Sequence, residues 1–242
     1  VFTHKTRHLT GYNLQKARSQ EGLNLNYLLS GSEGTLALVT QLTVKLVPLP
    51  EHSQLVAIAY ESFHDALIHG RDLLDLPFEA IETIDHQVLD LARSLPLFEP
   101  LKKQLNPDNN QAIRGLNLVE ITSENPKTLK ERVQNLKERI KKNKQASIIG
   151  SYIATEKQEI AAYWQLRRES VGLLAAYPGT RQPIAFIEDT VVDPRQLPEY
   201  IREFRAILDK HHLEYGMFGH IDAIAAHGCE PVPLCFACGQ IQ

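Results

Sequence analysis

Apolar positions along this chain follow two alternating rhythms, one of period two and one of period 3.6. Residues 54–60 (QLVAIAY) form an apolar run of strand type. Ser62, with Asp65 three residues on, caps a helix expected to run to about residue 74. Residues 78–85 (FEAIETID) read as a strand and HQVLDLARS after it as a short helix. Residues 96–115, rich in Pro, Asn and Asp, read as a surface loop with some helix.

The sequence of elements then repeats. Residues 116–122 (LNLVEIT) read as a strand, and Pro126 opens a charged helix with Leu129, Val133, Leu136 and Ile140 at helical spacing. Residues 147–153 (SIIGSYI) are the next strand. Thr155 with Gln158 forms a capping pattern ahead of a helix that carries Trp164. Residues 184–192 (IAFIEDTVV) read as a strand, and Asp193-Pro194 starts a helix whose apolar face holds Leu197, Ile201, Phe204 and Leu208. Residues 213–222 end the series as a strand running into a loop. Two rounds of strand-helix-strand predict an α+β fold: a ferredoxin-like antiparallel sheet with helices on one face.

A strand-rich segment, residues 1–50, precedes this region. Gly31 and Gly34 lie in a Gly-Ser-Glu-Gly-Thr turn, where they permit positive φ or close approach of another group, and Glu33 and Thr35 add an acceptor and a hydroxyl. Next, Leu42, Val44 and Leu46 alternate with Thr43, Lys45 and Val47 on the two faces of a predicted strand, which Pro48 and Pro50 end.

Composition removes several classes. The 242 residues carry a net charge of -3, which gives no basic field for nucleic acid. No apolar run is long enough to span a bilayer, and no signal peptide is recognisable. All 3 cysteines, Cys229, Cys235 and Cys238, lie in the C-terminal stretch, so disulfides are not expected to hold the fold and a reducing, cytoplasmic setting fits. Cys235 and Cys238 form a single CxxC without a second pair. The opening VFTHKTRHLT has no initiator Met, which suggests an excised or processed piece.

TGYNL at residues 10–14 and GSEGTLALVT at residues 31–40 resemble the closing segment of the FAD-binding domain in the FAD-linked oxidase family. That family includes D-lactate dehydrogenases, glycolate oxidase flavin subunits and D-2-hydroxyglutarate dehydrogenases. Asn13 stands where the usual pattern has Asp, and Ala37 where it has Gly. The resemblance implies that Thr10, Gly11, Tyr12, Glu33, Gly34 and Val39 contact FAD. It also implies that residues 1–50 close a flavin domain, that 51–223 form the substrate or cap domain, and that the parent is a flavin-dependent oxidoreductase acting on a small 2-hydroxyacid. An electron acceptor or an iron-sulfur domain in the parent, with membrane-peripheral attachment through such partners, is compatible with it. Because the family's pyrophosphate-binding half lies upstream of these motifs, the segment alone is expected to be inactive.

Two constellations would carry the chemistry. Phe218-Gly219-His220-Ile221-Asp222-Ala223 resembles the start of a GHxxxGxxH motif whose histidines face the substrate side of the flavin and, in several members, ligate a divalent metal such as zinc. His220 is the match, and His227 stands seven residues on. A neutral imidazole suits zinc and also suits accepting a hydroxyl proton. Without the resemblance, one histidine at a strand end reads as an ordinary hydrogen-bonded side chain. From residue 224 the sequence departs from the family pattern, and 224–242 read as an atypical, frame-shifted tail. In YWQLRRES, Trp164 and Arg167 resemble an aromatic-x-x-Arg pattern whose arginine binds the substrate carboxylate through its planar fork. The helix pattern alone makes Arg167 an exposed arginine or a partner of Glu169.

Two other readings remain open on the residues alone. One is a free-standing ferredoxin-like binding or interaction module without flavin. The other is a metal-only hydrolase built on His220, Asp222 and His227.

Overall fold

A computed structural model describes residues 12–20, 22–46, 48–96, 98–106, 111–175, 183–187, 190, 192–221 and 238–241. The N-terminal part contains α1 (Leu14–Ala17), β1 (Arg18–Ser19), β2 (Gly22–Leu23) and α2 (Asn26–Leu29). The main body follows: β3 (His52–Tyr60), α3 (Phe63–Asp72), β4 (Ala80–Asp85), α4 (His86–Ala92), α5 (Phe98–Leu105), β5 (Gly115–Ser123), α6 (Pro126–Lys142), β6 (Ile148–Ala154) and α7 (Lys157–Ala175). Then come β7 (Pro183–Ile187), α8 (Leu197–Lys210), β8 (Phe218–His220) and β9 (Cys238–Ile241).

The central sheet has five strands in the order β6-β3-β5-β4-β8, with every neighbouring pair antiparallel. Its first four strands, with crossovers α3 and α6, reproduce the ferredoxin-like βαββαβ arrangement, and β8 extends the sheet beside β4. The expected α+β class is therefore present.

The helices, expected on one face, cover both. Alternate residues of a strand point to opposite faces. Val56, Ile58 and Tyr60 of β3 pack with α3, α6 and α8, whereas Leu55, Ala57 and Ala59 pack with α4, α5 and α7. β3 is apolar on both sides because both sides are buried. A fully buried Val, Leu or Ile contributes about 1.5–3 kcal/mol, so neither face could be left open to solvent at small cost. The second layer is built by α4 and α5, inserted between β4 and β5, and by α7 after β6.

The local signals behave as their chemistry dictates. The Ser62 hydroxyl accepts the Asp65 amide at 3.0 Å and starts α3, and Pro126 occupies the first turn of α6 behind the Asn125 cap. The start of α7 differs from expectation: the Glu159 carboxylate, not a Thr155–Gln158 box, accepts the amides of Thr155 and Glu156 at 3.3 and 3.4 Å. Gly150 has a packing role. A Cβ there would lie 2.1 Å from the Leu105 carbonyl, so only glycine lets the end of α5 dock on β6.

One polar cluster lies inside the core. The Tyr60 hydroxyl bonds His69 Nδ1 at 2.7 Å, and Asn117 donates to that hydroxyl at 3.2 Å and to the Ala66 carbonyl at 2.7 Å. Burial pushes His69 down to about 4, since the charged imidazolium would lose its hydration there.

The segment before β3 departs from the sequence reading. Residues 42–46, expected as a strand, carry no regular structure, and Leu42, Val44 and Leu46 are exposed. The alternating pattern is present, but no described strand pairs with it, and a strand without a ladder leaves its backbone groups to water. At the other end, β9 lies within the tail read as atypical and pairs antiparallel with β7.

Candidate active site

The site begins with a charge in the wrong place for a strand. Ala80, Glu82 and Ile84 of β4 share one face, and Ile84 belongs to the core under α4, α5 and α7. Glu82 therefore points into that layer, where its side chain is only 5% exposed. A carboxylate so buried requires partners, and it has two. Arg167 Nε of α7 donates to Oε2 at 2.8 Å, and His220 Nδ1 of β8 meets Oε1 at 2.5 Å.

Register and helix phase bring these groups together. Glu82 and His220 are direct cross-strand partners, so their side chains share a face. Trp164 and Arg167 are one turn apart on α7. Trp164 lies beside Glu120 on β5 and Arg167 reaches Glu82 on β4, so one face of the helix spans two adjacent strands. The Arg167 guanidinium also lies over the Phe218 ring, 4.3 Å from its centroid.

Burial alone would raise the Glu82 pKa. The bond from His220 and the charge of Arg167 outweigh it and hold the carboxyl below the usual glutamate range. Glu82 is thus an anion between a permanent cation and an imidazole. The His220 side chain is 29% exposed, against 13% for Arg167, so the imidazole is the most accessible member.

A second buried ion pair secures the same strands. Asp85, fully buried at the end of β4, caps α4 by accepting the Val88 amide at 3.1 Å and binds Arg205 Nη2 at 2.9 Å. The Asp85 amide donates to the Met217 carbonyl, immediately before β8. Asp85 therefore joins β4, α4, α8 and the entry to β8, three residues from His220. Burial raises its carboxyl to about 6 despite the opposing charge of Arg205.

Of the residues singled out in the sequence, Arg167 and His220 are brought together. The partner of Arg167 is Glu82, not Glu169. Glu82 was not singled out, although a Glu between core-facing Ala80 and Ile84 is the signal that marks it. Tyr12, Glu33, Gly34 and Val39 lie ahead of β3, each exposed. Thr10, Gly11, Asp222 and His227 lie outside the described residues. Among the described residues no group of three or more His, Cys, Asp or Glu side chains is placed to hold a metal ion, and no helix is long and apolar enough to cross a membrane.

The turn at 32–35 is tight and left-handed at its centre. Thr35 N–H bonds back to the Ser32 carbonyl at 2.9 Å, and the two central residues have positive φ, 47° at Glu33 and 76° at Gly34. Nothing lies within 4 Å of where a Gly34 Cβ would stand, so its backbone can be approached closely. The turn therefore leaves an open backbone edge that a ligand such as a flavin could approach.

Comparison with known proteins agrees with this architecture. The family model for FAD linked oxidases, C-terminal domain, matches residues 49–232, a stretch that includes Glu82, Arg167, His220 and His227. The chain belongs to that family. D-2-hydroxyglutarate dehydrogenase of Haemophilus influenzae is 37% identical over 235 residues, covering 95% of this chain and 23% of the relative. The Escherichia coli protein of the same name is 36% identical over 239 residues, covering 97% of this chain and 24% of its own length. The chain thus spans 23% and 24% of the length of these two relatives. Glycolate oxidase subunit GlcD of Bacillus subtilis is 26% identical over 205 residues, 84% of this chain and 40% of its own. Among solved structures, an alkyldihydroxyacetonephosphate synthase superposes with a TM-score of 0.59 at 17% identity, over 90% of this chain and 42% of that one. At that identity the likeness concerns the fold.

Proposed function

We propose that this chain supplies the substrate-side groups of an FAD-dependent 2-hydroxyacid dehydrogenase, with D-2-hydroxyglutarate as the leading substrate. The observation that carries the reading is the meeting of Arg167 and His220 on one buried carboxylate. A 2-hydroxyacid needs a cation for its carboxylate and a proton acceptor for its hydroxyl, and these two residues are of those types. A guanidinium has five donors in a planar fork, of which the bond to Glu82 uses the one on Nε. The rest of the fork suits an incoming carboxylate.

His220 takes the hydroxyl proton as the substrate is oxidised. The imidazolium that results stands beside Glu82, whose negative charge stabilises it. When bound, the flavin supplies the redox chemistry by accepting a hydride from the hydroxyl-bearing carbon. Thr10, Gly11, Tyr12, Glu33, Gly34 and Val39 would line it, and the exposed aliphatic segment at 36–46 would complete the sheet of the flavin-binding domain. His220 and His227 are the candidates for a divalent ion that would further polarise the hydroxyl. A cytoplasmic location is consistent with the placement of the cysteines.

Kinetics test this reading. In a chimera whose matched stretch of the Haemophilus influenzae enzyme is replaced by this chain, Arg167→Met should lower kcat/KM for D-2-hydroxyglutarate about 100-fold, the loss expected for a charge-assisted carboxylate contact. Arg168→Met should change it little. Equal effects of the two substitutions would refute the assignment.

A further inference from the structure

We propose that Glu82 is a positioning residue that fixes the tautomer of His220, holding the ring proton on Nδ1 so that the lone pair is carried by Nε2. The inference deepens the proposed function and rests on it only for the purpose the lone pair serves. Three features of the cluster carry it.

First, an ionised carboxylate only accepts hydrogen bonds, so a neutral imidazole that approaches it through Nδ1 at 2.5 Å must bring its proton to that nitrogen. Second, the carboxylate cannot turn away. Its other oxygen is held by Arg167 Nε at 2.8 Å, and that guanidinium is held against the Phe218 ring. Third, the backbone fixes the pairing, because Glu82 and His220 face each other across the β4–β8 ladder and Phe218 lies two residues earlier on the same face of β8. Arginine cannot give up its proton, so the order of donors and acceptors is set from one end: Arg167 donates, Glu82 accepts twice, His220 donates from Nδ1. A histidine oriented by a carboxylate in this way presents one defined nitrogen to a proton or a metal ion.

The arrangement gives a sharp expectation for an isosteric change. In Glu82→Gln the amide oxygen is drawn to Arg167, which can only donate. The amide NH2 is then left facing His220 Nδ1, which must become the acceptor. The ring proton therefore moves to Nε2.

Long-range ¹H–¹⁵N correlation spectra of the purified chain, labelled at histidine, read this directly, with His220→Gln assigning the signal by its loss. The wild type should show the proton on Nδ1. Glu82→Gln should reverse the tautomer ratio by on the order of tenfold or more, the bias one charge-assisted hydrogen bond supplies. A wild-type ring protonated on Nε2 would overturn the proposal, as would a Glu82→Gln ring still protonated on Nδ1. If Glu82→Gln does not fold, the wild-type spectrum decides alone. No substrate or flavin is needed, so failure here is distinct from failure of the hydroxyacid reading, which the kinetics of Arg167→Met address.

Discussion

Truncating Asp85 to Ala removes the carboxylate that ties β4 to α4 and α8, and the structure sets the expected size of the loss. The cap on α4 is worth about 1 kcal/mol. Breaking a buried ion pair by deleting one partner costs about 3–5 kcal/mol; Arg205 retains 22% exposure, which puts the expected loss toward the lower end. A total near 4 kcal/mol at roughly 2–4 °C per kcal/mol for a chain of this size lowers the melting temperature by about 8–16 °C. The isostere Asn keeps one acceptor oxygen, enough for the Val88 amide or for Arg205 but not for both, and it spares the fold a buried charge.

The two substitutions also separate through pH. The Asp85 pKa rises from 3.8 unfolded to about 6 folded, so the native state binds the proton more tightly. Its contribution is therefore full below pH 3.8 and is lost as pH rises through 6, a change of about 3 kcal/mol at roughly 1.4 kcal/mol per pH unit. Asn cannot titrate. Urea unfolding at pH 7 and pH 4 should show the wild type gaining about 2.5 kcal/mol on Asp85→Asn as pH falls. His69 titrates in both proteins and cancels in the difference. A wild-type advantage that does not change with pH would refute the reasoning.

His69 gives the opposite slope. Its pKa falls from 6.5 to about 4 on folding, so its contribution is present above pH 6.5 and is lost as pH falls through 4. Relative to His69→Gln, the wild type should lose about 3 kcal/mol of unfolding free energy from pH 7 to pH 4, and an NMR titration showing an ordinary histidine midpoint would contradict this. Gly150→Ala should cost about 2 kcal/mol or more in urea unfolding, because the new methyl meets a backbone carbonyl that cannot rotate aside. The neighbouring exposed Ser151→Ala should stay within about 0.5 kcal/mol.

The strands and helices of the sheet domain were legible because each is signalled locally. The Ser62 and Pro126 starts, the apolar stripe of α6 and the apolar run of β3 are properties of a few consecutive residues. The second helical layer was less legible. β3 and β5 are apolar on both sides, which already implies two covered faces, but the counterpart helices are separated in sequence. Residues 42–46 show the reverse failure: the pattern is that of a strand, yet pairing is supplied by another segment or not at all.

The site divides in the same way. Arg167 and His220 were found through resemblance, which identifies residue types at fixed spacings. Glu82 joins them through a cross-strand register and the phase of a helix 85 residues away, and neither is written in a short motif. What the sequence does carry is a charged residue between core-facing Ala80 and Ile84, and the cost of an unpaired buried carboxylate turns that anomaly into a prediction of partners.

The measurement that tests the central claim most directly follows Arg167 and His220 together. Side-chain ¹⁵N signals of both, recorded on the purified chain during titration with D-2-hydroxyglutarate, should shift along one saturating curve, while Arg168 stays unmoved. Signals of Arg167 and His220 that do not respond, or a response confined to Arg168, would contradict the reading of the Glu82 cluster as the hydroxyacid site.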